Sequence, residues 1–206
     1  MPEPSLVPLG DDALRVDLPG PTSPAWRRAA VAALGALPGV VDAWAGETSL
    51  ALRSEGRPPA PEAVRAALAA LRPEAGPAPA VHRLAVCFDG PDRPALAAAW
   101  GLAPADLGAL FAAAPLEVMA VGFQPGFAYL GPLPGGRIAP RHPAPRPRVP
   151  AGAFGLGGDR AGVYPGGTPG GWQLIGRADP AALPAFAVGD RVWIEPVAHI
   201  PDGDRA

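Results

Sequence analysis

The residues with the most chemical promise lie in the second half of the chain. Gly122-Phe123-Gln124-Pro125-Gly126-Phe127-Ala128-Tyr129-Leu130-Gly131 carries three aromatics and no charge. Proline and glycine fix such a loop, which lowers the entropy cost of presenting Phe127 and Tyr129 to a ligand or partner. Aromatics that plug a β-barrel give the same pattern, and spacing does not choose between the two. Pro140 to Pro150 then sets Arg141, Arg146 and Arg148 on extended, polyproline-like backbone. Guanidinium forks held out in this way suit a carboxylate or phosphate, though a solvated basic loop looks alike. The run Gly152 to Gly158 offers backbone N–H groups to an anion, or simply links strands. Trp172 and Gln173 stand where the chain re-enters a strand and can meet a ligand. The expected site is therefore an anion-accepting surface. Arg141, Arg146 and Gln173 are its candidate catalytic groups, and Gly126, Phe127, Tyr129 and Trp172 its candidate cofactor-binding residues.

Other chemistries find little support. His82, His142 and His199 are far apart, and none has metal-ligand spacing with another His, Cys or carboxylate. His142, in the Arg/Pro-rich loop, is a candidate acid or base, although an exposed loop histidine is the commoner outcome. No serine sits in a nucleophile-elbow context, and no carboxylate pair announces itself. All 17 basic residues are arginine. Without lysine there is no Schiff base, no phosphate-loop lysine and no biotin carrier. The single cysteine, Cys87, excludes an internal disulfide and a Cys-rich zinc site. It falls in an alternating run and reads as a small core residue. A net charge of −2 argues against a generic nucleic-acid binder. The uncharged stretch Val118 to Gly136 contains Pro125, Pro132 and Pro134, so it does not read as a spanning helix. The start has no basic-then-apolar leader pattern, and a soluble cytoplasmic protein is expected.

These residues need elements to position them. Strands are predicted over Leu6–Leu9 and Ala13–Leu18, then a helix opened by Ser23 as cap and Pro24 as its first residue. Val40–Ala45 and Ser49–Arg53 read as strands, and Pro61 opens a helix with Val64, Leu68 and Leu71 on one face. Strand, helix, strand, strand, helix suggests a split βαβ sandwich of ferredoxin-like type, completed by one more strand. Pro73–Ala80 reads as a stiff linker. Beyond it come a strand over Val81–Phe88, two short helices around 94–100 and 104–113, and a strand from Leu116. The Gly/Pro-rich stretch to Gly176 has room only for short strands and tight turns, as in a small irregular β-barrel, and a last strand ends at Pro196. The expected class is α+β, with a domain over 1–78 and a barrel domain over 81–206.

The blocks GFQPGFAYLGPLP (122–134), PR (140–141), PR (145–146), VPAG (149–152), GVYP (162–165) and PGGWQLIGR (169–177), with DGPD at 89–92 and GD at 189–190, together resemble the allophanate hydrolase subunit 1 family. This family includes the B-type subunits of 5-oxoprolinase and Kip-type inhibitors of a histidine kinase. The resemblance implies a ferredoxin-like N-terminal domain and a cyclophilin-like C-terminal β-barrel. It implies a heteromeric partnership with a homologous, C-type barrel subunit, and a third subunit in the oxoprolinases. The implied reaction is ATP-driven opening of the small-molecule lactam 5-oxoproline to glutamate, with ATP shared with the partner and the isolated chain inactive. A kinase-binding inhibitor and a component of a urea carboxylase or allophanate hydrolase system are the alternatives. No nucleic acid, membrane or metal is implied. The chain departs from the family pattern at Ala153 (usually Ser), Ala161 (usually Thr) and Phe111 (in a region where His is common).

Overall fold

The structure is a computed structural model, and it describes residues 4–20, 22–71 and 78–200. Two compact units emerge. One takes the chain up to Pro79 together with Ala187–Gly189, and the other takes Ala80–Phe186 and the chain from Asp190 onward. The greater part of the expected linker lies outside the described residues.

In the first unit, β1 (Ser5–Leu9), β2 (Ala13–Asp17), β3 (Val40–Ala45) and β4 (Ser49–Ser54) form an antiparallel sheet in the order β1-β2-β4-β3. Helix α1 (Pro24–Gly35) starts as the sequence suggests: the Ser23 hydroxyl accepts from Trp26 N–H at 3.1 Å, with Pro24 in the first turn. Alternation on β2 and β4 buries Leu14, Val16, Leu50 and Leu52, and α1 and α2 (Pro61–Ala69) add Ala30, Leu34, Val64 and Leu68 to the same core. The strand that completes the sheet is β1, which precedes β2 in the chain. Its register with β2 runs from Ser5 opposite Asp17 to Leu9 opposite Ala13, so it takes the edge expected for a strand after α2.

The second unit contains β5 (Val81–Val86), α3 (Arg93–Ala99), α4 (Asp106–Ala112), β6 (Leu116–Val121), β7 (Ala128–Gly131), β8 (Arg146–Val149), β9 (Ala153–Gly157), β10 (Arg160–Val163), β11 (Thr168–Gly170), β12 (Gln173–Arg177) and β13 (Arg191–Pro196). Seven strands form one curled sheet, β12-β9-β10-β7-β6-β13-β5, while β8 and β11 form a separate ribbon. The curl brings the sheet's two ends together. Cys87 and Arg177 exchange N–H···O bonds of 2.8 Å, Gly90 N–H donates to Ile175 O, and Asp92 N–H donates to Leu174 O. Side chains cannot enter this seam. A Cβ on Gly176 would lie 2.4 Å from Cys87 O, and one on Gly90 2.4 Å from Leu174 O.

The Gly/Pro-rich stretch does form short strands, and its glycines have a definite place. Along β7, β9, β10 and β12 one face sends Ala128, Leu130, Phe154, Leu156, Ala161, Val163 and Ile175 into the main core. The opposite face carries Tyr129, Ala153 and Leu174 and the bare backbone of Gly155, Gly157 and Gly162. Aromatic rings lie on that backbone: a Cβ on Gly162 would sit 2.7 Å from Phe127 Cζ, and one on Gly157 2.3 Å from Trp172 Nε1. The period of two in a strand thus separates an aliphatic core from an aromatic layer.

Candidate functional site

Phe127, Tyr164 and Trp172 are buried in that second layer with Val149, Ala153 and Leu174, and Tyr129 packs against them. The rings meet edge to face. Phe127 lies 5.0 Å from Tyr129, 5.5 Å from Tyr164 and 5.6 Å from Trp172, centroid to centroid. The aromatics therefore do not plug the main core; they build the floor of a cavity on the other face of the sheet. This cavity, about 290 Å³, is bounded by the aromatic layer, Phe123, the loop from Arg141 to Pro145, and β11. Its size is at the lower end for small-molecule sites.

Every polar side chain that lines the cavity among the described residues can donate a hydrogen bond. Arg141 lines it and is exposed. Tyr129, Tyr164 and His142 line it as well, and no carboxylate does so among the described residues. The side chains of Arg141, Tyr129 and Tyr164 make no hydrogen bond among the described residues. Burial pushes the Tyr164 phenol above its ordinary pKa, with Tyr129 adding to the rise, while the charges of Arg141 and Arg146 oppose it. Tyr164 is thus a neutral donor near pH 7. Unpartnered donors around an apolar floor suit a small ligand that carries an anionic group and hydrogen-bond acceptors.

The structure divides the expected site residues. Phe127, Tyr129, Trp172 and Arg141 converge on the cavity. Gly126 shapes the loop leading to Phe127, at φ +84°, beside the Pro165 ring. Arg146 has other partners: Nη2 donates to both oxygens of Asp92 at 2.6 and 2.7 Å, and Nη1 donates to Trp172 O at 3.0 Å. Gln173 pairs with Leu156 across the β12–β9 ladder, and its Nε2 donates to Pro140 O at 2.7 Å. It therefore braces the Arg/Pro-rich loop, whereas Trp172 before it packs on the aromatic layer. The Gly152–Gly158 run is mostly strand β9, whose glycines receive rings. Of the three departures from the family pattern, Ala161 and Phe111 lie in the main core and Ala153 under the aromatic layer.

Sequence reasoning gave no weight to Tyr164 or Asp92. Tyr164 stood in a quoted block, GVYP, but only the alternation of β10 tells which way the chain faces there. Asp92 accepts from Arg146 and from Leu174 N–H (2.6 Å) and contacts His142 Nε2 at 3.3 Å. Its partners are far away in sequence. Among the described residues no group of His, Cys, Asp and Glu side chains forms a metal site.

Over 88 residues the chain is 50% identical to the B-type subunit of 5-oxoprolinase from Escherichia coli O157:H7, covering 43% of this chain and 40% of that protein. Over 106 residues it is 42% identical to the B-type 5-oxoprolinase subunit of Bacillus subtilis (strain 168), covering 50% of this chain and 44% of that one. Each match thus spans less than half of the relative's own length. The crystal structure of TTHA0988 superposes with a TM-score of 0.78 at 30% identity, over 93% of this chain and 41% of that chain. The family model for the carboxyltransferase domain, subdomain C and D, matches residues 4–186, and the chain belongs to that family.

Proposed function

We propose that the chain is the B-type subunit of an ATP-dependent 5-oxoprolinase and that its aromatic cavity holds 5-oxoproline, the lactam acid. The observation that carries the reading is the convergence of the family blocks on one cavity of unpartnered donors. Arg141 suits the carboxylate, the Tyr129 and Tyr164 hydroxyls suit carbonyl or carboxylate oxygens, and the rings suit the flat body. The names of the curated relatives support this assignment over a kinase inhibitor or a urea carboxylase component.

The cavity does not fit a nucleotide triphosphate. Arg141 is the one arginine among the described residues that line it, and the chain has no lysine to hold phosphates. The ATP phosphates are assigned to the partner side of a heteromer with a homologous C-type subunit and a third oxoprolinase subunit. In TTHA0988 the equivalent of this chain occupies less than half of a longer polypeptide, which supports a role beside further domains.

For the fold, the β1-β2-β4-β3 order is that of a ferredoxin-like sandwich whose outer strand comes from the start of the chain, which supports that name for 1–78. The curled sheet with meeting ends supports a cyclophilin-like barrel for 81–206. A cytoplasmic location is consistent with the free buried thiol of Cys87. No helix among the described residues is long and apolar enough to cross a membrane.

The test is glutamate release from 5-oxoproline and ATP by the chain alone and with its candidate partner subunits. Release only from the assembled complex is expected. Release by the chain alone, or none from the complete complex, overturns the reading.

A further inference from the structure

His142 lies between the two PR blocks on which the family resemblance rests, and it lines the cavity next to Arg141. Two contacts hold it. Its backbone N–H donates to Gly171 O at 2.8 Å, and its Nε2 lies 3.3 Å from Oδ2 of Asp92. Asp92 is itself fixed by Arg146, by Leu174 N–H and by its own N–H on Leu174 O. The other ring nitrogen, Nδ1, makes no hydrogen bond among the described residues. An imidazole tied at one nitrogen to a carboxylate has its orientation set and its second nitrogen available.

The charges around it give this geometry a meaning. Asp92 and Arg146 neutralise one another as an ion pair. Tyr129 and Tyr164 face the same cavity through their hydroxyls, and Arg141 supplies its standing positive charge. Protonating His142 adds a second one, with the proton drawn from solvent. In that form Nε2–H faces Asp92 and Nδ1–H is free to donate.

We propose that His142 is the second anion-holding group of the cavity: in its protonated form it donates from Nδ1 to the ligand's carboxylate beside Arg141, while Asp92 fixes the ring through Nε2. Ligand binding then takes up a proton, and ligand release returns it. This inference rests on the cavity being the anion site proposed above.

The test uses the full chain and 5-oxoproline as the probe, whose carboxylate stays ionised between about pH 5.5 and about pH 8. Calorimetric titration at both pH values, in buffers of different ionisation enthalpy, measures affinity and proton uptake together. The wild-type chain is expected to bind about tenfold tighter at the lower pH, the effect of one charge-assisted hydrogen bond. The heat should vary with buffer. His142→Gln keeps a donor toward Asp92 but cannot take up a proton; it should bind with the weaker affinity at both pH values. The parent lactam without its carboxylate should show no pH dependence. Equal wild-type affinity at both pH values, with binding still lost in Arg141→Ala, overturns the role of His142 and leaves the anion site standing. No binding of 5-oxoproline at either pH overturns both.

Discussion

One amino group of Arg146, Nη2, holds both carboxylate oxygens of Asp92, at 2.6 and 2.7 Å. The two residues are 54 apart in the chain, and their side chains are 27% and 12% exposed. The pair joins the ribbon strand β8 to the turn before α3. The neighbouring Nη1 reaches Trp172 O, so the same guanidinium also anchors the aromatic layer. Arg146 thus shapes the cavity from behind, and Arg141 is left to meet a ligand.

The pair should be visible as coupling. Removing either partner leaves a partly buried charge without its counterion. Arg146→Ala and Asp92→Asn should each cost about 1.5–3 kcal/mol in urea denaturation. The double variant should cost less than the two together, by at least about 1 kcal/mol. Strictly additive losses would mean that the two side chains act independently.

The seam that closes the sheet makes a sharper demand. A Cβ on Gly176 would meet the carbonyl oxygen of Cys87 at 2.4 Å, and Cα of Phe88 lies close behind. Backbone cannot rotate away as a side chain can. Gly176→Ala should therefore destabilise by more than about 3 kcal/mol, or prevent folding. Gly35, at the end of α1, has nothing within 4 Å of its Cβ position and serves as control. Gly35→Ala should change stability by less than about 1 kcal/mol. Similar urea midpoints for the two variants would show that the seam does not close.

Much of the fold was legible because local signals agreed with one another. Ser23-Pro24 marked the start of α1, and the strands expected over Ala13–Leu18 and Ser49–Arg53 are the ones that bury Leu14, Val16, Leu50 and Leu52. Phe127, Tyr129, Arg141 and Trp172, singled out by their motifs, line one cavity, because turns and aromatics cluster in that part of the chain. What stayed hidden depends on face and on distant pairing. Gly155 and Gly157 read as part of an anion-cradling or strand-linking run and Gly162 only as part of a motif block, yet all three are strand positions where rings need bare backbone. Trp172 and Gln173 are neighbours in sequence, yet Trp172 packs in the aromatic layer while Gln173 begins β12 and reaches Pro140 O. Nothing local signals that Asp92 will neutralise Arg146.

Alkaline pH should weaken the second unit for a calculable reason. Burial first, and the nearby Asp89 next, push the Cys87 thiol above its ordinary pKa, while burial raises that of Tyr164. In each case the folded protein holds the proton more tightly than the unfolded chain. The stability this provides is complete below the ordinary thiol and phenol ranges, near about 8.5 and 10, and is lost as pH rises through the higher folded values. Urea midpoints should fall steadily above about pH 8.5. Cys87→Ala should remove the earlier part of the slope and Tyr164→Phe the later part. Arg141→Ala should raise the Tyr164 pKa further, because it deletes a positive charge that favours phenolate; ultraviolet absorbance of the phenolate would follow it. A midpoint independent of pH in the wild-type chain would contradict the burial argument.

Phe123 is the last residue that binding and stability should separate. It has φ +73°, the left-handed region that a residue with a Cβ enters at a cost of about 1–2 kcal/mol. The residue is 58% exposed, so burial gives little in return. The strain is held in place by a turn: Gly122 N–H donates to Phe127 O, and Phe127 N–H donates to Gln124 O. This turn sets the Phe123 ring 5.3 Å from Phe127 and 6.2 Å from Tyr164, as one wall of the cavity. A strained, exposed aromatic at the edge of a cavity suggests contact with a ligand rather than with the core. Phe123→Gly relieves the strain, and its thermal midpoint should stay level or rise. Affinity for 5-oxoproline should fall by roughly five- to tenfold, the equivalent of about 1–1.4 kcal/mol from a lost aromatic contact. Loss of stability with affinity unchanged would instead make Phe123 a structural residue of the turn, and the wall would then be Phe127 and Tyr164 alone.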